Sequence, residues 1–224
     1  MASRGIFREK RGKVIFNKRG LILCEGQTEE NYFKGLLSQE KYRRKFASID
    51  VEIFKPKDNS PVGLVTRAKE KIKDAKREKN PYNFIWVIFD KDGHARIPDA
   101  FEIARISNPE IQIAFTIPCF EYFVLLHFEK TSKHYMKCDD VISHIKRQSY
   151  IPDYEKSANI FELLLPQMNQ GLENSKWIVE QFQSEIDNCK QIYSLSAYTN
   201  IHDLIRDIYS QIEVKDNLNS CSFS

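Results

Sequence analysis

The run Phe84-Ile85-Trp86-Val87-Ile88-Phe89 contains no charged side chain and stops at Asp90, and this limits the possible folds more than any other feature of the chain. An apolar strand without alternation is one covered on both faces, as the central strands of a parallel α/β sheet are. Leu21-Ile22-Leu23-Cys24 has the same character and also ends on an acid, at Glu25-Gly26. Two such strands, each stopping at a carboxylate, predict a buried sheet with acids along one edge.

The segments between them read as helices. Thr28, Glu29 and Glu30 predict a helix start with a capping hydroxyl and first-turn acids, and Tyr32, Phe33, Leu36 and Leu37 form its apolar stripe. A strand is expected at 49–54. Ser60-Pro61 then caps a helix whose apolar positions are Leu64, Val65, Ala68, Ile72 and Ala75 and whose outer face, 67–79, is rich in Lys and Arg. A helix at 98–106, a strand at 111–115 and a nearly all-apolar helix at 120–128 complete the alternation. Strand and helix in strict turn predict an α/β fold with a parallel-rich sheet and right-handed crossovers. Beyond Lys130 the patterns at 141–145, 160–165, 177–192 and 201–212 are helical, and no strand is expected. The chain is therefore divided into a basic arm at 1–18, a core at 19–130, a helical elaboration at 131–215 and a polar tail at 216–224.

Charge enters through its distribution. The 224 residues carry 34 Lys and Arg against 31 Asp and Glu, a formal +3, yet residues 1–20 alone hold Arg4, Arg8, Lys10, Arg11, Lys13, Lys18 and Arg19 against Glu9. A basic arm on a near-neutral body is compatible with phosphate contact or with a solvated tail. Cys24, Cys119, Cys138, Cys189 and Cys221 form no CxxC or zinc spacing, and Cys24 and Cys119 lie in apolar stretches that suit small buried hydrophobes. Without an apolar leader or a membrane-length run, reduced thiols and a cytoplasmic location are expected.

In a parallel α/β sheet, ligands bind outside the carboxyl ends of the strands. Glu25 and Asp90 each follow such an end. Asp92 is two residues further on, and Glu29 lies one helical turn after Glu25 on the same side. Carboxylates crowded together repel one another unless a cation neutralises them, and a hard oxygen set selects Mg²⁺ or Mn²⁺, with substrate phosphate completing the shell. Taken singly, each motif also reads as something plainer: a helix-dipole acid for Glu25 or Glu29, a turn for Asp90-Lys91-Asp92-Gly93.

These residues resemble the Toprim fold of topoisomerases, primases and overcoming-lysogenization-defect nucleases, with Glu25 in LILCEGQTEENYF and Asp90 and Asp92 in WVIFDKDGH. The EGxxE spacing of the nuclease branch is matched by Glu25, Gly26 and Glu29. The whole chain is similar to RloB-like proteins, whose PCFExxLLLHF pattern is matched by Pro118-Cys119-Phe120-Glu121 and Leu125-Leu126-His127-Phe128. The resemblance covers about 18–130 well and the helical tail loosely. Gly93-His94-Ala95 departs from the acidic or asparagine-rich stretch expected after the aspartates. The resemblance implies a Toprim-type, metal-dependent nuclease in bacterial anti-phage defence and abortive infection, acting on DNA or RNA, tRNA included, and often encoded with an ATPase partner.

Four further positions are open to more than one reading. Glu121 is a further site carboxylate or a dipole partner for the helix it opens. His127 reads as a hydrogen-bonded core histidine, with a base as the alternative. Lys91 either stabilises transition-state charge or points away. The basic face at 67–79 is solvated or contacts nucleic acid. Two other functions use the same residues: a phosphotransferase or primase-like activity, for which no P-loop pattern exists, and a non-catalytic subunit that binds nucleic acid or the ATPase.

Overall fold

The structure is a computed structural model that describes residues 18–188 and 190–212. The expected arm, except for Lys18, and the final tail lie outside the described residues. In chain order the elements are β1 (Lys18–Cys24), α1 (Gln27–Leu37), α2 (Arg43–Phe46), β2 (Ile49–Phe54), α3 (Pro61–Arg77), β3 (Phe84–Asp90), α4 (Ile97–Arg105), β4 (Gln112–Ile117) and α5 (Phe120–Leu126). There follow α6 (Cys138–Arg147), α7 (Phe161–Leu164), α8 (Met168–Gln181), α9 (Gln183–Asp187), β5 (Tyr198–Thr199) and α10 (Ile201–Gln211).

The five strands form one sheet in the order β2-β1-β3-β4-β5, parallel throughout except for β5. The two apolar runs occupy interior strands, and every residue of β3 is buried. Alternate side chains separate into two cores. Leu21, Leu23, Ile85, Val87 and Phe89 face α3 and α4, whereas Ile22, Cys24, Trp86 and Ile88 face α1, α5, α6, α8 and α10. This is the mixed α/β, parallel-rich sheet expected from the alternation, and it is consistent with the Toprim-like fold that the resemblance implies. Ser60 caps α3, its Oγ accepting from Gly63 N at 3.1 Å, with Pro61 in the first turn. No described helix is long and apolar enough to cross a membrane.

Three local expectations are corrected. Helix α1 starts a residue before Thr28, with extended Gly26 as its cap residue, and Thr28 Oγ1 instead accepts from Ser157 N at 2.9 Å. Helix α8 begins at Met168, nine residues before the expected 177. The region after Lys130 also holds a strand, because β5 pairs antiparallel with β4 through Thr116–Thr199 and Ile117–Tyr198.

Candidate metal centre

Strand register builds the site. Cys24 lies opposite Ile88, and Glu25 N continues the ladder by donating to Ile88 O at 3.0 Å. Glu25 is therefore fixed one step from Asp90, and its Oε2 accepts from Asp90 N at 3.0 Å. Its Oε1 is hydrogen-bonded to His94 Nε2 at 2.8 Å, and its carbonyl accepts from Asn59 Nδ2 at 2.8 Å. Glu29, in the first turn of α1, is almost wholly buried and folds back over Gly26, where a Cβ would run into its carboxylate.

Asp90 is buried. Its Oδ2 accepts from Phe120 N at 3.0 Å, at the start of α5. Its Oδ1 is buried with no hydrogen-bond partner among the described residues. Glu121, the next residue of α5, is also buried: Tyr154 Oη donates to its Oε1 at 2.8 Å, and Cys138 Sγ lies 3.0 Å from its Oε2. Cys119 and Cys138 are joined as a disulfide, a pairing that departs from the reduced thiols expected. A disulfide sulfur carries no hydrogen, so Tyr154 is the donor that holds Glu121.

The electrostatics follow from this crowding. Burial, then the charges of Glu121 and Glu25, raise Glu29 from its ordinary 4.5 to about 7, while Lys55 acts against them. Burial, then Glu29, Glu25 and Glu121, push Asp90 well above the usual carboxylate range, and the Phe120 N–H offsets only part of this. Four of the five sequence-predicted site residues, Glu25, Glu29, Asp90 and Glu121, thus act on one another at one sheet edge. Asp92 is exposed, two residues past the end of β3.

Among the described residues, Cys119, Glu121 and Cys138 bring three potential ligand atoms within 4.8 Å, but the two sulfurs are joined to each other and offer no thiolate. The carboxylates of Glu25, Glu29 and Asp90 stand further apart, as mutually repelling charges do. Mg²⁺ retains several of its waters, so the unpartnered Oδ1 of Asp90 and this spread donor set fit a partly hydrated cation.

Other expectations resolve locally. His127 is a core histidine: burial lowers it to about 4, and its Nδ1 is 2.9 Å from Phe123 O. Lys91 turns away, its Nζ donating to Leu195 O at 3.4 Å. Sequence reasoning missed the roles of His94, Asn59, Tyr154 and Lys55. Lys55 was the most accessible of these, since it follows the last residue of β2 as Glu25 follows that of β1.

A family model described as RloB-like protein matches residues 20–208. The chain belongs to the RloB-like family. That match runs past α5 through α8, β5 and into α10, so the RloB-like unit includes the helices after Lys130 as well as the acidic edge. No curated protein and no solved structure matches the chain.

Proposed function

We propose that this RloB-like protein is a divalent-metal-dependent nuclease that hydrolyses phosphodiester bonds in DNA or RNA, tRNA included, using Mg²⁺ or Mn²⁺. The observation that carries the reading is the convergence of half-buried Glu25 with buried Glu29, Asp90 and Glu121 at one sheet edge, with Asp90 Oδ1 left unpartnered. Glu25, Glu29 and Asp90 would hold the cation, and exposed Asp92 adds a solvent-facing carboxylate. The cation, when bound, supplies charge stabilisation at the phosphate and an acidified water.

The protein's own groups do the rest. The Asp90 N–H and His94 hold both oxygens of Glu25, so that carboxylate is oriented before any substrate arrives. Glu25, just past the carboxyl end of β1, and Glu29, in the first turn of α1 after it, are the candidate bases for the attacking water. Tyr154 keeps Glu121 aligned beside Asp90. Family membership supports a setting in cytoplasmic anti-phage defence beside an ATPase partner. The spacing of the carboxylates favours one second reading, a non-catalytic subunit that binds nucleic acid or the ATPase.

The full chain, with and without its ATPase neighbour, should cleave at least one of single-stranded DNA, RNA or tRNA in Mn²⁺ and none in chelator. Glu25→Gln should keep the thermal transition and lose activity by roughly 100-fold or more. Mn²⁺ at a hundred times its dissociation constant should stabilise wild type by about 2.7 kcal/mol, and Asp90→Asn should lose most of that gain. Equal metal responses in the two proteins, with no cleavage, would leave the binding subunit as the correct reading.

A further inference from the structure

Two depressions lie end to end on the α3 side of the sheet. The first, about 710 Å³, is lined by the β2–α3 connection, the first turns of α3 and the segment 94–96. It includes His94, the residue bonded to Glu25. The second, about 760 Å³, lies along the last turns of α3 and reaches Asn108. Thr66 and Glu70 line both, so the two form one path that starts at the acidic edge.

Its charge is one-sided. Lys57, Arg67, Lys69, Lys73, Lys76 and Arg77 line it, with Arg96 beside His94, against only Asp58 and Glu70. Seven cations against two carboxylates is a surplus of five, larger than the +3 of the entire chain. The rest of the chain therefore sums to a net negative charge even with the basic residues of 1–20 included, and this path is, beside them, where positive charge collects. Arg67 and Arg77 pair with Glu70 and Asp74 on their own helix, exposed contacts of the kind that exchange readily for phosphate. Lys69 and Lys73 are exposed. At 1.5 Å per residue, the 17 residues of α3 give a track of about 25 Å.

We propose that this path binds the sugar–phosphate backbone of a nucleic-acid strand and leads it to the acidic edge at His94. The proposal rests on the nuclease reading for its direction, but the binding itself requires neither metal nor turnover. Recognition is of phosphate, so it is independent of sequence.

The test is fluorescence anisotropy of the full chain with a labelled single strand longer than the path, in DNA and RNA forms, in chelator across a salt series. The Lys69→Ala/Lys73→Ala double variant should bind roughly tenfold more weakly, with a salt slope shallower by about 1.4 on the logarithmic scale. Lys146→Ala, on α6 at the opposite face of the sheet, should match wild type. An unchanged affinity and slope in the double variant, or an equal loss in Lys146→Ala, would overturn the proposal. A weakened double variant with no cleavage by wild type in Mn²⁺ would leave the path standing and remove the nuclease reading. Cleavage by wild type with an unaffected double variant would do the reverse.

Discussion

Glu29 links the geometry of the acidic edge to a measurable pH dependence. Its proton affinity is raised from 4.5 to about 7, so between those values the folded, metal-free protein holds a proton that the unfolded chain has released. The resulting stability is fully present below 4.5 and is lost as pH rises through 7. His127 and His202 act in the opposite sense. Burial lowers them to about 4 and about 3, so their share is lost as pH falls below 6.5. Both histidines remain in Glu29→Gln, so the difference between the two proteins reports Glu29 together with the part of the Asp90 shift that its charge causes. In chelator, urea denaturation at pH 5 and pH 8 should show wild type losing more stability than Glu29→Gln over that rise. Parallel curves would mean that Glu29 is already ionised in the folded state. At this scale the sequence revealed which acids end the strands, because strand ends can be read from where apolar runs stop. It did not reveal the donors, because His94, Asn59 and Tyr154 reach the cluster from loops whose course depends on tertiary packing.

Between elements, the contact of α5 with α8 decides how the acidic edge is supported. Asn174 Nδ2 donates to Leu126 O at 2.8 Å, and Gly171 lies against His127. A Cβ at Gly171 would come 2.7 Å from atoms of that ring. Alanine there would gain about 1 kcal/mol of helix propensity and lose about 1–3 kcal/mol to overpacking, so Gly171→Ala should be neutral to destabilising by about 2 kcal/mol. Urea denaturation checks this, and a more stable variant would show that His127 moves aside freely. The same contact explains why the sequence hid the first half of α8. Gly171, Asn174 and Ser175 are buried on its inner face, so small and polar residues occupy positions where an apolar stripe would be sought. Strand β5 was hidden for another reason. Two residues are too few for any periodicity, and Asn200 extends the edge with its side chain, accepting from Phe115 N at 2.8 Å and donating to Ile113 O at 3.0 Å. The interior strands and α3 were legible because continuous apolar runs and a Ser-Pro cap depend little on distant partners.

Across the whole molecule, the helices after Lys130 are built into the main core. Tyr154, Met168, Ile178, Leu204, Ile205 and Ile208 share one cluster with Tyr32, Phe120 and Phe123. Polar ties follow the same plan: Trp86 Nε1 donates to Asp207 at 2.7 Å, and Gln39 Nε2 to Tyr209 Oη at 2.7 Å. A chain ending at Lys130 would keep every site carboxylate and lose one wall of this core. It should show no cooperative thermal transition, and a sharp transition in that fragment would mean that residues 19–130 fold alone.

The position of β5 also sets an order of events during synthesis. Glu25, Glu29, Asp90 and Glu121 have all been made before the ribosome reaches Tyr154, but the strand that closes their sheet and the helix that covers it come only at 198–211. Until then the outer edge of β4 stays open and lacks the helix α10 that packs on it. On the nuclease reading proposed above, cleavage before that point would endanger the messenger still being read. Here the sheet that carries the acidic edge is closed only after residues 198–211 have been made, later than every one of its own carboxylates.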